Sequence, residues 1–166
     1  MQTSLTIRQA DAAEIPLIKQ LAEATWGPTY QSILSKEQLE FMFDTIYSEE
    51  ALAQQMADGQ TFLLLFEGES PLGFASYSVK DEAEKIYKLN KIYLLPQTQG
   101  KGYGKTLLNA VEHEVKQLGA AILDLNVNRY NNAKAFYERC GYQVYVQEDI
   151  AIGPYWMNDY VMRKEL

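Results

Sequence analysis

The chain has 166 residues, 47% of them hydrophobic, and a net charge of −7. That is enough for one domain, spanning residues 1–166, with one sizeable core. The acidic balance excludes a general nucleic-acid binder, and the single cysteine, Cys140, excludes an internal disulfide and a cysteine-based metal site. Leu5 to Gln9 then alternate as a short strand. Asp11 and Glu14 form a capping box that opens a helix with Ile15, Ile18, Leu21 and Ala22 on one face, and Gly27-Pro28 is expected to break it. Ser35 with Gln38 opens a second helix carrying Leu39, Met42, Phe43 and Ile46. Ser48 caps a third that ends near Asp58-Gly59.

From Thr61 the pattern turns to strands. Thr61–Phe66 and Pro71–Val79 flank the turn Glu67-Gly68-Glu69-Ser70 as a hairpin. A polar loop, Asp81 to Glu84, precedes a third strand, Ile86–Leu95, which Pro96 ends. After a glycine loop comes a helix with Leu107, Leu108, Val111 and Val115 on one side, stopped by Gly119. Ala121–Val127 reads as a buried strand, Asn131–Cys140 as a helix, and Tyr142–Ile152 and Tyr155–Arg163 as closing strands. This order predicts an α/β (α+β) fold with one central mixed sheet and helices on both faces. No apolar run approaches the roughly 20 residues of a membrane span. The segment Met1 to Ser4 lacks the pattern of a signal peptide. The expectation is a cytoplasmic protein with no membrane or nucleic-acid partner.

The loop Gln99-Gly100-Lys101-Gly102-Tyr103-Gly104-Lys105-Thr106 carries the most chemistry. Glycines at alternate positions leave the backbone with little steric cover where a helix begins. The first helical N–H groups there have no internal partners and lie at the positive end of the dipole. Lys101 and Lys105 add charge and Thr106 a hydroxyl, so the loop suits a phosphate or pyrophosphate. A Walker A loop would need glycine where Gln99 stands. A dinucleotide fingerprint needs a different glycine spacing.

The strand end Tyr93-Leu94-Leu95-Pro96 followed by Gln99-x-x-Gly102-x-Gly104 and a helix resembles the acetyl-coenzyme A loop of the GNAT superfamily of N-acetyltransferases. Asn131-Asn132-Ala133-Lys134-Ala135-Phe136-Tyr137 and Gly141-Tyr142 look like that family's second signature. The usual spacing would place Asn at position 130, where this chain has Tyr130. Trp26, Tyr30, Ile33-Leu34-Ser35, Met42, Met56 and Met157 to Met162 are similar to the PaiA-like branch, which includes polyamine acetyltransferases. The resemblance implies a mostly antiparallel mixed sheet of about seven strands. It also implies acetyl-CoA as co-substrate without a metal, and a small-molecule primary amine, a polyamine among the candidates, as acceptor. It leaves a homodimer open.

By the same resemblance, Gly100, Gly102, Gly104 and Lys105 would hold the pyrophosphate through their backbone, with Gln99, Lys101, Tyr103 and Thr106 beside them. The backbone of Ile92, Tyr93 and Leu94 would pair with the pantetheine arm across a splay from the next strand. An N–H near Leu94 would polarise the thioester. Tyr137 would be the general acid. Asn131 and Lys134, and also Arg139, would lie by the coenzyme. The base stays open between a water relay and Asp81, Glu82, Glu84 or Asp159. His113 reads as a surface histidine and Cys140 as a packing residue. An acyl-CoA-binding module without catalysis is the alternative reading. A nucleotide triphosphatase is the third, weakened by its glycine spacing.

Overall fold

The computed structural model describes residues 4–166. Seven strands form one sheet in the order β1-β2-β3-β4-β5-β7-β6. They are β1 (Leu5–Gln9), β2 (Thr61–Glu67), β3 (Ser70–Asp81), β4 (Ile86–Leu94), β5 (Ile122–Asn128), β6 (Gln143–Ile152) and β7 (Tyr155–Glu165). Among the described residues only the β4–β5 pairing is parallel. Its connection is helix α4 (Tyr103–Gln117), as a parallel crossover requires. The remaining helices are α1 (Ile15–Tyr30), α2 (Lys36–Tyr47), α3 (Glu49–Ala57) and α5 (Ala133–Arg139).

The two sheet faces support separate apolar clusters. One joins Leu107, Leu108, Val111 and Val115 of α4 and Tyr137 of α5 to Leu63, Leu89, Leu123 and Leu125. The other joins Ile18, Trp26 and Tyr30 of α1, Met42 and Tyr47 of α2 and Leu52 of α3 to Phe62, Leu64 and Phe74. β6 is a mostly exposed edge strand.

The predicted caps form: Asp11 and Glu14 make the reciprocal box, Ser35 accepts from Gln38 N, and Ser48 accepts from Ala51 N. The expected break at Gly27-Pro28 does not occur, and α1 runs on to Tyr30 with Pro28 inside it. The proline leaves the Ala24 carbonyl without its helical donor, but Ala24 is exposed and water can serve it. Burial of Trp26 and Tyr30 on the same helix outweighs that local cost.

A bulge in β4 decides which side chains reach the site. Ser76 is opposite Lys91 and Tyr77 is opposite Leu89, leaving Asn90 as the extra residue. Asn90 Nδ2 donates to Ser78 Oγ at 2.8 Å. One inserted residue reverses the alternation of a strand. Tyr87 and Leu89 face α4, and after the bulge it is Ile92 and Leu94 that do so. Tyr93 turns to the opposite cluster.

Candidate active site

β4 and β5 pair from Ile86–Ile122 to Leu89–Leu125 and then part. Beyond Leu89 the β5-facing edge of β4 therefore has no partner strand, and its free backbone groups border a cleft. A 220 Å³ cavity fills the splay, lined by Ile92, Tyr93 and Leu94 on one side and Leu125, Asn126 and Val127 on the other. Tyr30, Asn131 and Tyr137 also line it. A second cavity, of 690 Å³, lies over the glycine loop and is bordered by Gln99, Gly100, Gly102, Tyr103, Gly104, Lys105, Phe136 and Arg139. Ile92, Leu94, Ala133 and Tyr137 line both, so the two spaces meet at Tyr137.

The loop has the backbone its glycines imply. Gly100 and Gly102 have φ of +81° and +77°, the left-handed region that other residues enter at a cost. A Cβ at either would meet no atom within 4 Å, so the constraint is conformational and the backbone faces open space. Gly102 is the N-cap of α4, and the helical bonds begin with Thr106 N donating to Gly102 O at 3.2 Å. The N–H groups of Tyr103, Gly104 and Lys105 are the unpaired first turn, at the positive helix end. Lys105 and Arg139 add positive charge at the rim. These features fit the pyrophosphate of a coenzyme.

Tyr137 is buried against Phe136 and Tyr142, with ring centroids 5.3 and 6.1 Å away. The side chain lines both cavities. Burial, with smaller contributions from Tyr93 and Cys140, pushes its pKa well above the usual phenol range. At neutral pH it holds its proton.

Other predicted residues lie elsewhere. Lys134 bonds Glu138 at 3.3 Å and lies over the Tyr160 ring, outside both cavity linings. Lys101 lies near the Tyr103 ring, and the Thr106 hydroxyl donates back to Gly102 O. Neither lines a cavity. Asn131 Oδ1 accepts from Ala133 N at 2.9 Å, so the side chain helps start α5 while it lines the cleft. Asp81, Glu82 and Glu84 are exposed at the β3–β4 turn, at the end of β4 remote from the splay. His113 is exposed on α4.

Tyr30, Tyr93 and Asn126 also line the cleft, and Asn126 reaches two carboxylates beside it. Tyr30 and Tyr93 share a hydrogen bond of 3.2 Å between their hydroxyls. Asn126 Nδ2 donates to Asp159 Oδ2 at 3.3 Å and lies 3.4 Å from Glu148 Oε1. Burial raises the pKa of Asp159 above the usual carboxyl range.

The Acetyltransferase (GNAT) domain profile matches residues 30–164 of this chain. A spermidine N(1)-acetyltransferase of Thermoplasma acidophilum is 30% identical over 147 residues, spanning 85% of this chain and 89% of that protein. A crystal structure of a PaiA N-acetyltransferase from the same organism, in complex with coenzyme A, superposes with a TM-score of 0.81 at 27% identity, covering 98% of this chain and 99% of that one. A ribosomal protein bS18-alanine N-acetyltransferase of Haemophilus influenzae is 38% identical over a shorter stretch of 81 residues, 48% of this chain and 53% of that protein. With the family profile matched over most of its length, on a sheet splayed beside a glycine loop, this chain belongs to the GNAT family of acetyl-CoA-dependent N-acetyltransferases.

Proposed function

We propose that the acceptor is the primary amine of a small cationic molecule, a polyamine, acetylated by direct transfer with Tyr137 as the general acid. The observation that carries this reading is the junction at Tyr137, a largely buried side chain that lines both the phosphate-side cavity and the β4–β5 cleft. Bound acetyl-CoA supplies an activated acyl group on sulfur. The first-turn N–H groups of α4 and the side chains of Lys105 and Arg139 hold the phosphates. The free edge of β4 at Ile92 to Leu94 orients the extended arm by strand addition. A β4 N–H polarises the carbonyl.

Tyr137 suits proton donation. Its pKa is raised, so it stays protonated until a strongly basic group forms beside it. The departing thiolate takes that proton as the C–N bond forms and the C–S bond breaks. The proton lost by the amine nitrogen passes to water, from which Tyr137 is reprotonated. The spermidine acetyltransferase relative supports the polyamine class. The acidic chain, with a charge of −7, favours the approach of cations.

The test is thiol release from acetyl-CoA with spermidine, spermine, putrescine and a peptide with an N-terminal alanine, each product being identified by mass. Acetylated polyamine formed with the highest kcat/KM is the expected result. Preference for the peptide would overturn the acceptor assignment. Coenzyme binding without turnover of any amine would favour a non-catalytic module instead.

A further inference from the structure

Asp159 is 6% exposed, and its Oδ1 is buried with no hydrogen-bond partner among the described residues. Its other oxygen, Oδ2, accepts from Asn126 Nδ2. The same nitrogen also donates to Glu148, so one amide stands between two carboxylates. Nearby charges are mostly committed. Lys80 and Arg163 bond Asp124, and Arg129 bonds Asp149. Lys88 and Arg129 are close enough to influence Asp159, but neither bonds it among the described residues, and Arg129 Nε is likewise buried without a partner.

A buried carboxylate oxygen without a donor is costly, and a cation that carries N–H groups would offset both its charge and its unmet hydrogen bond. Its position relates it to the cleft. Asn126 lines the cavity with Tyr30, Tyr93 and Tyr137. The charge of Asp159 bears on the hydroxyls of both Tyr30 and Tyr93, which places it at their end of the space.

We infer that Asp159, held through Asn126 beside Glu148, binds a protonated nitrogen of the acceptor other than the one that is acetylated. This rests on the reading above that the cleft takes an amine. A protonated nitrogen gains charge-assisted hydrogen bonds there, whereas a neutral or acidic acceptor gains none. Asp124, the other buried carboxylate of this half of the sheet, has no such role because Lys80 and Arg163 occupy both of its oxygens.

Calorimetric titration of spermidine into protein saturated with coenzyme A reads this site without turnover. The parent protein should bind, and Asp159→Asn should lower the affinity at least about tenfold, the equivalent of one charge-assisted hydrogen bond. Affinity for coenzyme A should stay within about twofold of the parent, well under the 1.4 kcal/mol of a tenfold change. Glu148→Gln, at an exposed position, should cost about threefold, and it decides the matter if Asp159→Asn fails to fold. Parental spermidine affinity in a folded Asp159→Asn protein would overturn the proposal, as would failure of the parent to bind spermidine. A chain that binds spermidine through Asp159 yet transfers no acetyl group would overturn the acetylation reading and leave this site standing.

Discussion

On β4, Lys91 is only 7% exposed; its Nζ donates to Gln60 Oε1 at 3.0 Å and lies 5.4 Å from the centre of the Phe62 ring. No carboxylate bonds it among the described residues. Burial, with Lys88 adding repulsion, pushes its pKa down to about 7. Folding therefore disfavours the charged form that the unfolded chain keeps up to about pH 10.4. The cost is largest near and below pH 7 and fades as pH rises toward the unfolded value. Lys91→Met should accordingly raise stability at pH 7 by something on the order of 2 kcal/mol, read from urea midpoints. The gain should shrink at pH 10. Gln60 Oε1 still accepts from Ser76 Oγ in that variant, so no acceptor is orphaned. A lower midpoint at pH 7 would contradict the assignment of Lys91 as a destabilising charge. Residues of this kind were the least legible in the sequence. The local pattern identified Lys91 only as a polar side chain on a strand, because the Asn90 bulge that turns it inward depends on pairing with β3. Asp159 was one of four candidate acids, and only the fold separates it from the three at the exposed turn.

At the scale of elements, the half of the sheet not covered by α1 to α3 is tied together by ion pairs. Asp124 on β5 has a fully buried side chain, and it accepts from Arg163 Nε of β7 at 2.7 Å and from Lys80 Nζ of β3 at 2.7 Å. Burial alone would raise its pKa, but the bonds from Arg163 and Lys80 outweigh it and hold the carboxyl below its usual range. A depressed folded pKa contributes stability above the unfolded value near 3.9, lost as pH falls through the folded one. Arg163→Leu keeps much of the packing on Tyr145 while removing the fork, and should cost about 3 kcal/mol in chemical denaturation at pH 7. An unchanged midpoint would mean that Lys80 alone neutralises Asp124. Elements themselves were largely readable from sequence. Capping residues and apolar spacing are local signals, and Ser35, Ser48 and the loop glycines act where they stand. The continuation of α1 through Pro28 was not readable, since the burial of Trp26 and Tyr30 that favours it comes from distant strands.

For the molecule as a whole, an overall charge of −7 should steer cationic acceptors toward the cleft. Raising the salt from about 0.05 to 0.5 M should lower kcat/KM for spermidine several-fold, because the Debye length shrinks well below molecular dimensions. An amine without additional charge should respond less, and equal responses would remove the electrostatic part of the account. The glycine loop and the Tyr137 motif were legible because each is a contiguous stretch of chain. The proposed acceptor side draws on α1, β4, β5 and β7, so no single stretch announces it. Residues of α1, β4, β5 and α5 line the cleft at Tyr137. The most direct measurement compares the parent with Tyr137→Phe, taking kcat for thiol release at saturating amine and, separately, the dissociation constant for acetyl-CoA. The account predicts a fall in kcat of about 100-fold or more, as loss of a general acid entails, with coenzyme affinity held within about twofold. Parental turnover, or equal losses in turnover and coenzyme affinity, would contradict it.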